Sequence, residues 1–347
     1  MRKATAYAFL AAALTGVVVL VSTFSLRPRG DDNCKPAFGG AGDVQRGFAL
    51  PSYSRDGYRS PQVTGTLCQI ARLGANWIQL NPTWYQASAS ASAIAASPRT
   101  PSDDSLTHAI EAAHRAGLKV FLKPLLDLAD GGYRGTIKPD DRTAWFASYR
   151  AFITHYAGLA ARYRVDQFGL GTELAGVSGD RPGWLGVAAA VRACYWGTIL
   201  YAANFDEYQD VRFWDAVDLV GIDAYWPVSG RPTADVRTVQ QAWAPIVRAL
   251  AAFAARTGQR ILFTEAGYAS QRGSTTAPWS WTTSRVPDQA EQAGAYQALL
   301  ASMSDQAWWS GVFWWAWDVP DLSGAADPLD YSPHGKSAEA VLRRWWT

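Results

Sequence analysis

Apolar residues along this chain recur in two alternating rhythms. Short runs rich in Phe, Leu, Ile and Val, closed off by Gly or charged residues, begin at residue 47 (GFALPSY), 76 (NWIQLNPTW), 119 (KVFLKPLLDL), 167 (QFGLGTEL), 197 (GTILYAA), 217 (VDLVGIDAYW), 260 (RILFTEAGY) and 311 (GVFWWAW). Runs of this length and composition predict buried strands. Between them the apolar positions recur every three to four residues, which predicts helices over Thr64 to Leu73, Ser105 to Ala116, Thr143 to Tyr163, Leu185 to Tyr195, Val236 to Thr257 and Gln289 to Met303, with a closing helix over Ser337 to Trp346. Gly74 and Gly117 sit where such helices would stop and hand over to a strand. Asn204 to Ala216 is too short for a helix of its own. Alternating strand and helix elements imply a parallel sheet, and eight strand-led units favour closure into a (β/α)8 TIM barrel over an open, doubly wound sheet.

The first residues follow neither rhythm. Arg2 and Lys3 precede an uncharged apolar stretch from Ala4 to Leu26, and Arg27 and Arg29 follow it. That pattern is an export signal or a membrane anchor, and VSTFSL offers no A-x-A cleavage site, which favours an uncleaved signal anchor. Residues 27 to 46, rich in Gly, Asp and Pro, are expected to link residues 1 to 26 to a catalytic domain over 47 to 347. The protein is thus expected outside the cell, membrane-anchored or secreted, and as a monomer.

Composition narrows the chemistry. The whole chain carries 32 Lys and Arg against 30 Asp and Glu. Six basic and three acidic residues precede position 47, so the expected domain is nearly neutral and offers no evident nucleic-acid surface. Three cysteines, Cys34, Cys68 and Cys194, allow one disulfide and one free thiol; Cys34 with Cys68 is the expected pair. The sequence has no H-E-x-x-H, G-x-S-x-G or phosphate loop; GLGTEL and GVSG miss the glycine signatures, and no metal or cofactor is implied.

Two glutamates carry the strongest signal. Glu173 and Glu265 stand near the C-terminal ends of the fourth and seventh apolar runs, where barrel enzymes keep their chemistry. A lone carboxylate there is often only an ion-pair partner. A pair on those two strands suits glycoside hydrolysis, in which one carboxyl protonates the leaving oxygen and the other attacks the anomeric carbon. Seventeen Trp add candidate sugar platforms, of which Trp84, Trp226, Trp315 and Trp317 lie at predicted strand ends. Period-two alternation puts Phe313, Trp315 and Trp317 on one face of the last strand and Trp314 on the other. Asn81, Lys123 and Asp127, at the ends of the second and third runs, are candidate hydroxyl binders, with a mutual Lys123 to Asp127 salt bridge as the plainer reading.

Through LNPTWYQ (80 to 86), LKPLLDL (122 to 128), GTEL (171 to 174), GIDAYWP (221 to 227), FTEAGY (263 to 268) and FWWAWD (313 to 318), the chain from Gly47 onward resembles glycoside hydrolase family 113. Known members of that family are β-1,4-mannanases, within a clan of retaining barrel hydrolases. The resemblance implies that Glu173 is the general acid/base, Glu265 the nucleophile, and Tyr225 a hydrogen-bond donor that orients Glu265. It implies a β-mannan or related β-linked polysaccharide as substrate. Two positions depart from the pattern: Thr172 stands where the clan commonly has an Asn that binds the sugar 2-hydroxyl, and Leu125 where a histidine is expected. These leave open mannose against glucose and the subsite near Lys123, and so another β-glycan of cell-wall or glucan type; a tethered barrel that binds carbohydrate without cutting it is a separate alternative, against which the intact Glu173 and Glu265 argue.

Overall fold

The computed structural model describes residues 44–317 and 327–347. The apolar stretch, most of the expected linker and Cys34 lie outside the described residues. Its strands are β1 (Gln45–Pro51), β2 (Trp77–Asn81), β3 (Thr83–Gln86), β4 (Ile94–Ala95), β5 (Lys119–Leu122), β6 (Leu125–Leu128), β7 (Gln167–Thr172), β8 (Thr198–Asn204), β9 (Leu219–Asp223), β10 (Ile261–Ala266) and β11 (Trp309–Trp314). Eight of them close a parallel barrel in the order β1-β11-β10-β9-β8-β7-β5-β2. Outside it run α1 (Pro61–Arg72), α2 (Asp103–Arg115), α3 (Arg142–Arg162), α4 (Arg181–Arg192), α5 (Val236–Thr257), α6 (Gln289–Met303) and α7 (Ser337–Trp346).

Helix starts are set by polar caps that the apolar rhythm does not reveal. The side chains of Ser60, Ser102, Asp141, Asp180, Asp235 and Asp288 each accept a backbone N–H of the first turn. α4 therefore begins four residues before the predicted Leu185, with Pro182 accommodated in its first turn. Gly74 (φ 100°) and Gly117 (φ 80°) take the left-handed conformation that turns α1 and α2 into the next strand. β1 begins at Gln45, paired with Gly311, so two residues expected in the linker belong to the barrel.

The second and third predicted strands are each two strands. Pro82 separates β2 from β3 and Pro124 separates β5 from β6, because proline has no N–H to continue a ladder. Past these breaks β3 pairs with β6 in parallel and with β4 antiparallel, giving a three-stranded sheet that stands above one side of the barrel rim. The last strand alternates as predicted over its first residues. Phe313 packs inside the barrel near Phe121, while Trp314 points outward and stacks on Tyr296 of α6 at 3.7 Å between ring centres. Cys68 is disulfide-bonded and Cys194 is a free thiol; the expected partner, Cys34, is outside the described residues.

Candidate active site

Glu173 and Glu265 open onto one cleft of about 690 Å³ at the C-terminal ends of the strands. Both sit beside irregular pairing. The β7–β8 register shifts between Gly169 and Thr172, and the β9–β10 register between Phe263 and Glu265. Such bulges re-aim a side chain at the end of a strand. Glu173 is in the left-handed region at φ 53°, a strained position for a non-glycine residue. Its N–H is held by the Ala202 carbonyl at 2.8 Å, and the next N–H, of Leu174, by the Tyr201 hydroxyl at 2.8 Å.

Glu265 has both oxygens engaged. Oε1 accepts from Lys123 Nζ at 2.6 Å and Oε2 from the Tyr225 hydroxyl at 2.9 Å. Lys123 is wholly buried and also donates to Asp223 Oδ1 and Oδ2 at 3.0 and 3.1 Å, while Thr264 Oγ1 donates to Asp223 Oδ1 at 2.6 Å. Burial works against the Lys123 charge, but the Asp223 and Glu265 carboxylates outweigh it and hold the ammonium above its ordinary pKa. Burial and the Glu265 charge push Asp223 up to about 6, against the pull of Lys123.

Glu173 meets a different environment. Arg134 Nη1 lies 3.4 Å from its Oε2, while Arg134 Nε and Nη2 donate to Asp127 Oδ1 at 2.9 and 2.6 Å. Burial raises the Glu173 pKa first, the Asp223 charge next, with Arg134 opposing and Glu265 adding, to about 8. The two glutamates thus differ in the way acid and nucleophile must: one tends to keep its proton, the other lies against a buried cation.

Aromatic residues wall the cleft. Tyr53, Tyr133, Tyr225, Phe205, Trp279, Trp281, Trp315 and Tyr331 line it, with Asn204 and Asp206. Trp279 and Trp281 are 51% and 55% exposed, open enough to meet a ligand. Trp279 stacks near-parallel on Phe205 and Trp281 packs edge-on against Tyr331. Their loop is pinned from below by the buried Glu291 of α6, which accepts Gly273 N, Thr275 N and Thr275 Oγ1 at 2.8, 2.9 and 2.6 Å. The loop after β8 is pinned by Glu207, pushed by burial up to about 7 and held by the Tyr201 hydroxyl and Asn204 N.

Of the residues singled out in the sequence, Glu173, Glu265, Tyr225 and Trp315 line this cleft. Lys123 lies beneath it, paired with Asp223 and Glu265 instead of Asp127, and Asp127 belongs to Arg134. Asn81 is buried with its amide on the Lys123 carbonyl, and Thr172 is buried with no protein partner for Oγ1, so neither reaches the cleft. Three tryptophans point elsewhere. Trp84, on the small sheet, packs on Phe152 and donates to the Tyr156 hydroxyl of α3; Trp226 packs against Trp243 and Phe263; Trp317 packs on Phe48 and His334.

The sequence reading missed Arg134, Tyr53, Tyr133, Asp206, Phe205, Trp279, Trp281, Tyr331, Asn204 and Asp223. Asn204 and Asp223 were within reach of its own rule, since each closes a barrel strand. The pair Trp279 and Trp281, in a Pro, Ser and Thr rich loop after β10, also carried a signal. Tyr133 and Arg134 stand at the start of a short 3-10 turn, Arg134–Thr136, without one.

The sequence profile described as Glycoside Hydrolase Family 113 matches residues 48–336. Among solved structures, a GH113 β-1,4-mannanase is similar at 23% identity and a TM-score of 0.79, over 87% of this chain and 98% of the other. The GH113 β-mannanase AaManA from Alicyclobacillus acidocaldarius, in complex with ManMIm, is 29% identical at a TM-score of 0.77, over 87% and 96% of the two chains. A fungal β-1,4-galactanase shares the fold at 14% identity and a TM-score of 0.58, over 87% and 99%. None of the curated proteins compared with this chain matches it.

Proposed function

From the premise that the chain belongs to glycoside hydrolase family 113, we propose that it cleaves β-1,4-mannan, or a closely related β-linked polysaccharide, with retention of configuration. The observation that carries the mechanism is the unequal setting of Glu173 and Glu265 in one cleft. In the first step a Glu265 oxygen attacks the anomeric carbon, the glycosidic C–O bond breaks, and the Glu173 proton goes to the leaving oxygen. In the second, Glu173 takes a proton from water, whose oxygen attacks the same carbon and releases Glu265.

Each neighbour has a task in this scheme. Lys123 and Tyr225 hold the two oxygens of Glu265 so that it meets the sugar in a fixed orientation. Burial keeps Glu173 protonated, and Arg134 moderates the shift. Trp279, Trp281 and Trp315 offer ring faces to the C–H faces of the sugars. Support for an exported, tethered enzyme comes from the apolar run of residues 4 to 26.

Reducing-sugar release from mannan, glucan, xylan and galactan, compared side by side, tests the reading. Mannan should be cut fastest. Preference for galactan or glucan would move the substrate to another β-glycan, and retention on a mannan gel with no release from any polymer would leave a binding protein.

With Glu173 as the acid, kcat/KM should hold below its pKa of about 8 and then fall about tenfold per pH unit as the proton is lost. Arg134 favours the charged form, so Arg134→Gln should move that basic limb to higher pH; a limb that stays in place would remove Arg134 from this role. For Trp281→Ala, losing about 60 Å² of apolar contact costs about 1.5 kcal/mol, or about tenfold in affinity. The loss should show in KM for a mannooligosaccharide, with kcat within about twofold.

A further inference from the structure

Almost equal numbers of positive and negative charges conceal a partition between the two ends of the barrel. Because the strands are parallel and each helix runs back against them, every helix finishes at the end of the barrel opposite the cleft. Six of the seven described α-helices have arginine in the last turn there. Four more cations, Arg46, Lys119, Arg164 and Arg260, stand at or just before the openings of β1, β5, β7 and β10 on the same end. Among the described residues the acidic groups near them are Glu111, Asp166, Asp218, Asp305 and Glu339, of which Glu111 faces Arg115, Asp166 faces His114, Asp218 faces Arg192 and Glu339 faces Arg343.

Arginine at a helix C-terminus offsets the helix dipole, so the six helix ends alone call for no partner. The other four cations are not on helices; Arg46 and Arg260 each donate to a backbone carbonyl, of Trp346 and Trp309, and Lys119 lies over the Trp77 ring, so among the described residues none of these three faces a carboxylate there. Arg164 is at φ 54°, the left-handed position that glycine fills after α1, α2 and α5, so the chain keeps a cation there despite backbone strain. The most exposed large apolar side chain among the described residues is also at this end: Trp196, between α4 and β8, is 87% exposed.

The described chain begins at this end too, since β1 starts there at Gln45. Only residues 27 to 43 separate the apolar stretch from Val44. Seventeen residues span at most roughly 60 Å when fully extended. A bilayer holding residues 4 to 26 is therefore within that reach of the cationic end.

We propose that the cleft-distal end of the barrel docks on an anionic phospholipid surface, with the arginines over lipid phosphates and Trp196 in the interfacial layer. Anionic headgroups attract basic residues within about a Debye length, and tryptophan favours the boundary between headgroups and acyl chains. Docking would hold the cleft pointing away from the membrane, toward polymer. The inference does not depend on which glycan is cut.

The full chain reconstituted into nanodiscs of phosphatidylcholine, alone or with about 30% phosphatidylglycerol, provides the test by amide hydrogen exchange. Retention in the discs reads the apolar segment, and exchange reads the face, so the two can fail separately. If the chain is not retained, co-flotation with vesicles of the same two lipids reads the face alone. Expected is exchange at least about threefold slower in residues 162–166, 193–198 and 256–260, only with phosphatidylglycerol and reversed by 0.5 M NaCl, with residues 270–287 at the cleft unchanged. The variant R162E/R164E/R256E should lose this lipid dependence and still hydrolyse a soluble mannooligosaccharide at the parent rate. Identical exchange in both lipids, protection at the cleft instead, or protection that follows protein concentration in pure phosphatidylcholine, as for a second copy of the chain, would each overturn the proposal.

Discussion

Glu265→Ala should lose at least roughly 10⁴-fold in kcat, the scale seen when a nucleophile is removed. The fold should survive, because Lys123 keeps its two contacts to Asp223 and no buried charge is stranded. The space left by the carboxylate can admit azide. With an aryl β-mannoside whose leaving group needs no acid, azide should restore turnover and yield a glycosyl azide of inverted configuration, identified by NMR. Full activity in this variant, or an azide product of retained configuration, would remove Glu265 from the nucleophile's place. Glu173→Ala should respond in the opposite sense, giving an azide product of retained configuration.

Lys123→Met separates positioning from mere stability. Without the ammonium, Asp223 and Glu265 face each other as buried carboxylates, and one of them must take up a proton near neutral pH. Breaking a buried pair by removing one partner costs about 3 to 5 kcal/mol, which for a chain of this size lowers Tm by roughly 10 °C. We expect kcat to fall about 10³-fold with little change in KM, since an uncharged or misdirected Glu265 still leaves the sugar platforms in place. Adding Asp223→Asn removes the carboxylate facing Glu265 and should recover part of the Tm but not the rate. Recovery of both together would mean that Lys123 only holds the barrel, and wild-type kcat in the single variant would exclude it from the reaction.

Much of this architecture was readable because barrel strands and helices differ in period. Helices α5, α6 and α7 have the predicted bounds, and all eight barrel strands fall on predicted runs. Glu173 and Glu265 were conspicuous because a carboxylate at the end of an apolar run needs a reason to be there. Partners were not readable. Lys123 and Asp127 are four residues apart and would share a face of an unbroken strand, but Pro124 ends the ladder between them, and the ammonium turns to groups 100 and 142 positions away. Tryptophan was the poorest guide. An indole suits core packing and sugar stacking equally, and whether Trp315 or Trp317 reaches the cleft depends on how the chain leaves β11, beyond the reach of period-two counting.

The two prolines that divide β2 from β3 and β5 from β6 also mark a seam for protein engineering. Below the seam the staves are locked into a closed ring; above it, three short strands form a detachable parapet whose outermost member is two residues long. Transplanting that parapet between relatives, cut at residues 82 and 124, should alter how Asp127 holds Arg134 at the edge of the cleft while leaving the ring's hydrogen-bond ladders untouched.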